Sequence, residues 1–240
     1  MVTIDGKWVM EGLDRNDARR IKSSKELSDF INDIGFLPLF KSNIEGFSVE
    51  ELTTANSWWA GKSEEDPWEW REVIAAEGKI AYGKLFSNRA GFVSKEWYPY
   101  FAAYRRDGYD FDSRYEDGLA SHRTKKIIDT LTECVILPSN EIKTIAGFGK
   151  GGEKGFEGAM ATLQMQTYIT VRSFKKRTNK KNKEYGWPVA LYSLSENLFG
   201  EEYVRSAYHL ESIEAKEKIV TQIADRFPDT TVAAIEKFIR

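Results

Sequence analysis

Six cations fall within the nine residues Lys175–Lys183, with no acid among them, and strand-like runs flank them at Tyr168–Phe174 and Gly186–Tyr192. So dense a cluster of like charge belongs in solvent, which makes the segment a turn. The flanking runs are rich in β-branched and aromatic residues, and together with the turn they predict an antiparallel hairpin with a basic tip. Immediately before it, Phe156, Met160, Leu163 and Tyr168 lie on or near one helical stripe, predicting a helix that runs straight into the hairpin. A cationic ribbon of this kind can lie along a phosphate backbone, and it can equally be a plain solvated tip.

The same order is legible earlier in the chain. Ser23 with Glu26 has capping-box spacing, and Leu27, Phe30, Ile31 and Ile34 follow at helical intervals up to Gly35. Ser48 with Glu51 opens a second, short helix running toward Trp58. Asp66-Pro67-Trp68-Glu69 opens a third, which ends at Gly78. Lys79–Phe86, a turn at Ser87–Ala90 and Gly91–Val93 then read as a hairpin. In the second half, a long helix over Asp112–Cys134, a shorter one capped by Ser139 and the Phe156–Tyr168 helix precede the basic hairpin.

The expected fold is therefore α+β and predominantly helical, with tandem winged-helix units of three helices plus a hairpin each and further helices at the C-terminal end. The expected boundaries are an N-terminal arm over 1–22, a first unit over 23–94 and a connecting helix over 95–111. A second unit follows over 112–194, and a helical cap on that unit over 195–240.

Composition limits the chemistry. Cys134 is the single cysteine and His122 and His209 the two histidines, so no disulfide, Cys-rich zinc site or nucleophilic triad is arguable. No metal and no cofactor are expected. No apolar run reaches the length of a membrane span, and Met1–Asp17 is mixed and charged, so a cytoplasmic protein without membrane contact is expected. Net charge is only −2, but it is unevenly spread. Glu45–Glu77 carries nine acids against Lys62 and Arg71, whereas Arg172–Lys183 carries seven cations and no acid. That asymmetry predicts one face made for a polyanion and another that would repel it, the acidic Glu45–Glu77 region being one that could meet a basic protein partner.

Gly147-x-Gly149-x-x-Gly152 matches the dinucleotide fingerprint in letters only, because a helix precedes it and Arg172, not an acid, follows at the ribose-binding distance. A turn before the Phe156–Tyr168 helix explains its glycines better, with amides that could also grip a phosphate. Gln164 and Gln166, late in that helix, are candidates for base or phosphate contact, or for packing and solvation. Asp110 and Asp112, within an acidic run around Tyr109 and Phe111, are candidate catalytic carboxylates or helix caps. Trp58, Trp59, Trp68 and Trp70 are either core or a platform for an extruded base. The candidate nucleic-acid contacts are Gln164, Gln166, Arg172, Lys175, Lys176, Arg177, Lys180, Lys181 and Lys183.

Three stretches carry a family resemblance: Asp66–Arg71, Lys79–Phe86 through Ala90–Phe101, and Gly155–Gly158 through Leu163–Ile169 with Tyr185-Gly186-Trp187-Pro188. Over about residues 25–200 the chain resembles the AlkZ-related group, distant relatives of the AlkZ/YcaQ winged-helix DNA glycosylases. The resemblance implies tandem winged helices on duplex DNA. In the glycosylases, base excision uses two polar residues after a leucine-glycine-leucine segment, whose counterpart here is Ile34–Phe40. Pro38 and Phe40 occupy the two polar positions, and neither side chain can orient water. Three readings stay open: a non-catalytic winged-helix protein that grips duplex DNA with Phe156–Tyr168 as recognition helix and Lys175–Lys183 as a basic wing along the phosphates, a divergent glycosylase or other base-modifying enzyme, and a protein–protein interaction module.

Overall fold

Side-chain caps set where the first helices begin. The computed structural model describes residues 2–4, 7–60, 62–179 and 181–240, which form two units, Met1–Tyr98 with Lys216–Arg240, and Pro99–Ala215. In the first unit, β1 (Val2–Ile4) and β2 (Lys7–Val9) pair antiparallel. Helix α1 (Ser24–Ile34) starts where the Glu26 backbone N–H donates to Ser23 Oγ at 3.2 Å. It buries Leu27, Ile31 and Ile34 and stops at Gly35, whose φ of 96° suits glycine; a Cβ there would lie 2.6 Å from the Trp97 ring.

Strand β3 (Phe36–Pro38) follows, then α2 (Val49–Leu52), where the expected pair Ser48 and Glu51 caps the start: the Glu51 N–H donates to Ser48 Oγ at 3.1 Å and Ser48 Oγ donates to Glu51 Oε2 at 2.6 Å. Asp66 caps α3 (Pro67–Glu77) by accepting the Trp68 N–H at 2.9 Å, and Gly78 ends it in the left-handed conformation. Strands β4 (Ile80–Phe86) and β5 (Arg89–Ser94) join through Ser87 and Asn88, both at positive φ, as a two-residue hairpin turn requires. Strand β5 pairs antiparallel with β4 on one side and with β3 on the other.

The second unit repeats this order. It opens with α4 (Tyr98–Arg106), most of which belongs to it. The long helix expected over Asp112–Cys134 is two, α5 (Phe111–Glu116) and α6 (His122–Cys134), because Gly118 takes a left-handed turn and Ser121 caps a new start. The two-residue strand β6 (Leu137–Pro138) leads into α7 (Ser139–Ile145); Pro138, not Ser139, holds the cap position. After the glycine turn come α8 (Phe156–Met165), β7 (Ile169–Thr178) and β8 (Glu184–Leu194). Strand β8 lies between β7 and β6, just as β5 lies between β4 and β3. Ile127, Leu131, Ile142, Leu163 and Ile169 are fully buried at its centre.

The short helices α9 (Glu196–Phe199) and α10 (Glu201–Val204) precede α11 (Ser212–Arg226) and α12 (Val232–Ile239). From Lys216 onward the closing helices belong to the first unit, not, as expected, to the second. Phe238 stacks on Phe86 at 4.6 Å, Phe227 meets Phe47 at 5.0 Å, and Gln222 donates to the Ile34 carbonyl at 2.9 Å. Helical periodicity reveals that such helices have an apolar face but not which core receives it. Among the described residues no helix is long and apolar enough to cross a membrane.

Candidate nucleic-acid interface

The β7–β8 ribbon is longer and its tip shorter than the sequence suggests, which relocates the cations. Lys175, Lys176 and Arg177 lie on β7 rather than in the turn, and only Lys181 and Lys183 of the described cations belong to the tip. Asn179 closes that tip: its side-chain oxygen accepts the N–H groups of Lys181 at 2.9 Å and Lys183 at 3.1 Å. The Asn179 N–H donates to the Lys183 carbonyl at 3.0 Å. An Asn side chain satisfying its own turn lets the ladder extend to Thr178–Glu184. Lys180 lies outside the described residues.

All the described cations from Lys175 to Lys183 are exposed, and Arg172 is half-buried at a bulge near the base of β7. Lys176 pairs with Glu184 at 3.0 Å, both well exposed, so the pair contributes little to stability. Among the described residues, no carboxylate forms an ion pair with Lys175, Arg177, Lys181 or Lys183. A cavity of about 360 Å³ lies between the ribbon and the start of α7, lined by Lys175, Arg177 and Tyr185 on one side and Asn140 and Glu141 on the other.

Helix α8 differs from the expected recognition helix. Phe156, Ala159, Met160, Ala161, Leu163 and Gln164 are all buried, which leaves an exposed strip at Glu157 and Gly158 that carries an acid and no cation. Gln164 is 2% exposed and its amide donates to the Met160 carbonyl at 3.0 Å, so it is not presented to solvent. Gln166 is half-buried at the helix C-cap, in a shallow groove with Arg123, Thr124 and Gly158. The Phe156–Met165 segment, made almost wholly of apolar and small residues, carried this signal, since a helix apolar all round is a buried one. The glycine turn is likewise occupied: the Gly152 N–H donates to the Gly149 carbonyl and that of Glu153 to Gly147, leaving neither amide for a phosphate.

The two catalytic candidates have structural employment. Asp110 caps α5 by accepting the Ser113 N–H at 2.8 Å, and that bond holds its carboxyl below the usual carboxylate range against a smaller upward push from burial. Asp112 is largely exposed and lies 3.4 Å from Lys125. Both line a cavity of about 550 Å³ with Glu116, Glu196, Glu201 and Arg205. Among the described residues, no group of three His, Cys, Asp or Glu side chains is placed to hold a metal ion.

As a cap, Asp110 has a definite pH signature. Asp110→Ala should cost about 1 kcal/mol of unfolding free energy at neutral pH, and Asp110→Asn only a few tenths, because Asn caps as well. A lowered folded pKa stabilises fully above the ordinary value of 3.8 and loses that contribution as pH falls through the folded value. The wild-type advantage over Asp110→Asn should therefore narrow on acidification below that point, as measured by urea unfolding across pH.

Of the four candidate tryptophans, Trp58, Trp59, Trp68 and Trp70, two are core. Trp58 is buried and donates to Thr53 Oγ1 at 2.9 Å; Trp70 is buried and donates to the Glu64 carbonyl at 2.9 Å. The Arg71 guanidinium, itself buried, sits 3.9 Å above the Trp68 ring. Trp59 alone among them is well exposed. Pro38 lies in β3 opposite Gly91, and Phe40 packs 5.5 Å from Trp58 and 6.4 Å from Trp68, so the segment matching the glycosylase motif is an apolar wall.

A family model described as AlkZ related matches residues 21–240. The chain belongs to the AlkZ-related family. No curated protein and no solved structure matches it. The family match takes in both units and every ribbon cation named above.

Proposed function

We propose that this AlkZ-related protein is a tandem winged-helix protein that grips duplex DNA through the β7–β8 wing and performs no base excision. The observation that carries the reading is the set of four exposed ribbon cations, Lys175, Arg177, Lys181 and Lys183, with no acidic partner among the described residues. Four ammonium or guanidinium groups left unneutralised on one β-ribbon form a ledge suited to successive phosphates.

The topology supports the same reading, since each unit runs helix, strand, helix, helix, ribbon, with the ribbon's last strand in the middle of three. The wing takes the leading role and α8 acts mainly as its buttress, because α8 presents little more than Glu157 and Gly158 to solvent. Catalysis is left out because Pro38 and Phe40 offer no proton-transferring or water-orienting group.

Titration with a labelled duplex across a salt series tests the proposal. Four phosphate contacts predict a log affinity falling against log salt with a slope of about −3.6. A chain that fails to bind duplex DNA even at low salt would overturn it.

A further inference from the structure

Two large aromatic side chains on the wing are exposed where a folded protein usually covers them: Tyr185 at 54% and Trp187 at 61%. The cause is local. Lys175 faces Val189 and Arg177 faces Tyr185, so two steps along β7 correspond to four along β8. The surplus falls at Gly186-Trp187-Pro188, with Gly186 at φ 65° and Pro188 unable to donate to the ladder. A bulge of this kind re-aims a side chain, and here it holds an indole out on the arm that also carries Tyr185. Core packing does not require this, since Val189 alone of the residues between Tyr185 and Ala190 is buried.

The surroundings indicate what the rings meet. Tyr185 shares its groove with Lys175 and Arg177, which have no acidic partner; Glu141 on the facing helix is the one carboxylate lining that groove. A ring flanked by two free cations suits a base attached to its phosphates better than an apolar protein surface. In an intact duplex the base faces are stacked on one another and unavailable to it.

We propose that the wing is a sensor of unstacked bases, with Tyr185 and Trp187 stacking on exposed base faces while Lys175 and Arg177 hold the adjoining phosphates. The preferred ligand is then DNA in which a duplex is interrupted by a short single-stranded gap. This rests on the reading of the protein as a DNA binder and adds the class of DNA it selects.

Fluorescence anisotropy of the full chain with an intact duplex and with the same duplex carrying a short gap separates the two ideas. Stacking on one base predicts about tenfold tighter binding to the gapped duplex. The double variant Tyr185→Ala/Trp187→Ala should lose that preference while keeping its affinity for the intact duplex, and Tyr185→Phe/Trp187→Phe should retain it. Circular dichroism of each variant checks the fold. Equal wild-type binding to both DNAs, or a preference surviving in the alanine variant, would sink the sensor idea and leave the DNA-binding reading standing. Binding to neither DNA would remove both.

Discussion

Arg106→Ala is expected to destabilise the unit spanning Pro99–Ala215 by about 3–5 kcal/mol, the cost of breaking a buried, fully engaged charge pair. Arg106 is completely buried, and its guanidinium is surrounded. Nη2 donates to the Thr167 carbonyl at 2.5 Å, Nε to Thr167 Oγ1 at 3.1 Å, and Nη1 to Glu196 at 2.5 Å. The Tyr168 ring lies 4.3 Å from the guanidinium carbon. Thr167 itself has a φ of 64°, an uncommon conformation for a β-branched residue, so its backbone has to be held by its neighbours.

Thr167 lies between the end of α8 and the start of β7, so Arg106 fixes the angle at which the β7–β8 ribbon leaves the helix. Lysine cannot replace the fork with one point charge, and Arg106→Lys should recover less than half of the loss. The readout is the urea midpoint by far-UV circular dichroism, because Trp8, Trp58, Trp59, Trp68, Trp70 and Trp97 all lie in the other unit and dominate the fluorescence. A loss below about 1 kcal/mol, the worth of an ordinary hydrogen bond, would show that the site is not a keystone.

Arg106 also marks where sequence reasoning stops. The caps at Ser23, Ser48 and Asp66 and the stop at Gly78 were legible because each depends on residues within a few positions. The same holds for both hairpins. The sequence places Arg106 only within a connecting helix and gives it no role, because its partners lie 61, 90 and 102 residues away. The closing helices were misplaced for the same reason: what decides their packing is Phe47 and Phe86, far upstream. At the candidate site, the cations were legible as charge. Their position on β7 was not, because it follows from Asn179 closing a short turn. The bulge that exposes Trp187 is visible only in the register, although Gly186 and Pro188 on either side of the indole were its trace in the sequence.

The proposed DNA binding by the ribbon cations admits a test with effects in both directions. At about 0.1 M salt each phosphate contact is worth close to tenfold in affinity by counterion release, so replacing Lys175, Arg177, Lys181 and Lys183 together by Gln should cost about three to four decades. The same variant should flatten the salt slope toward zero, a change that unfolding of an unrelated region would not imitate. Glu184→Gln works the opposite way. It removes the carboxylate 3.0 Å from Lys176, makes the ribbon less acidic, and should tighten binding with a slope steeper by up to about 0.9. Lys25→Gln is the control, since Lys25 is already paired with Asp29 at 2.5 Å on α1 and should leave the slope unchanged. An unaltered slope in the quadruple variant would move DNA binding off the wing altogether. Weaker binding in Glu184→Gln would show that this carboxylate meets the ligand directly instead of masking a lysine.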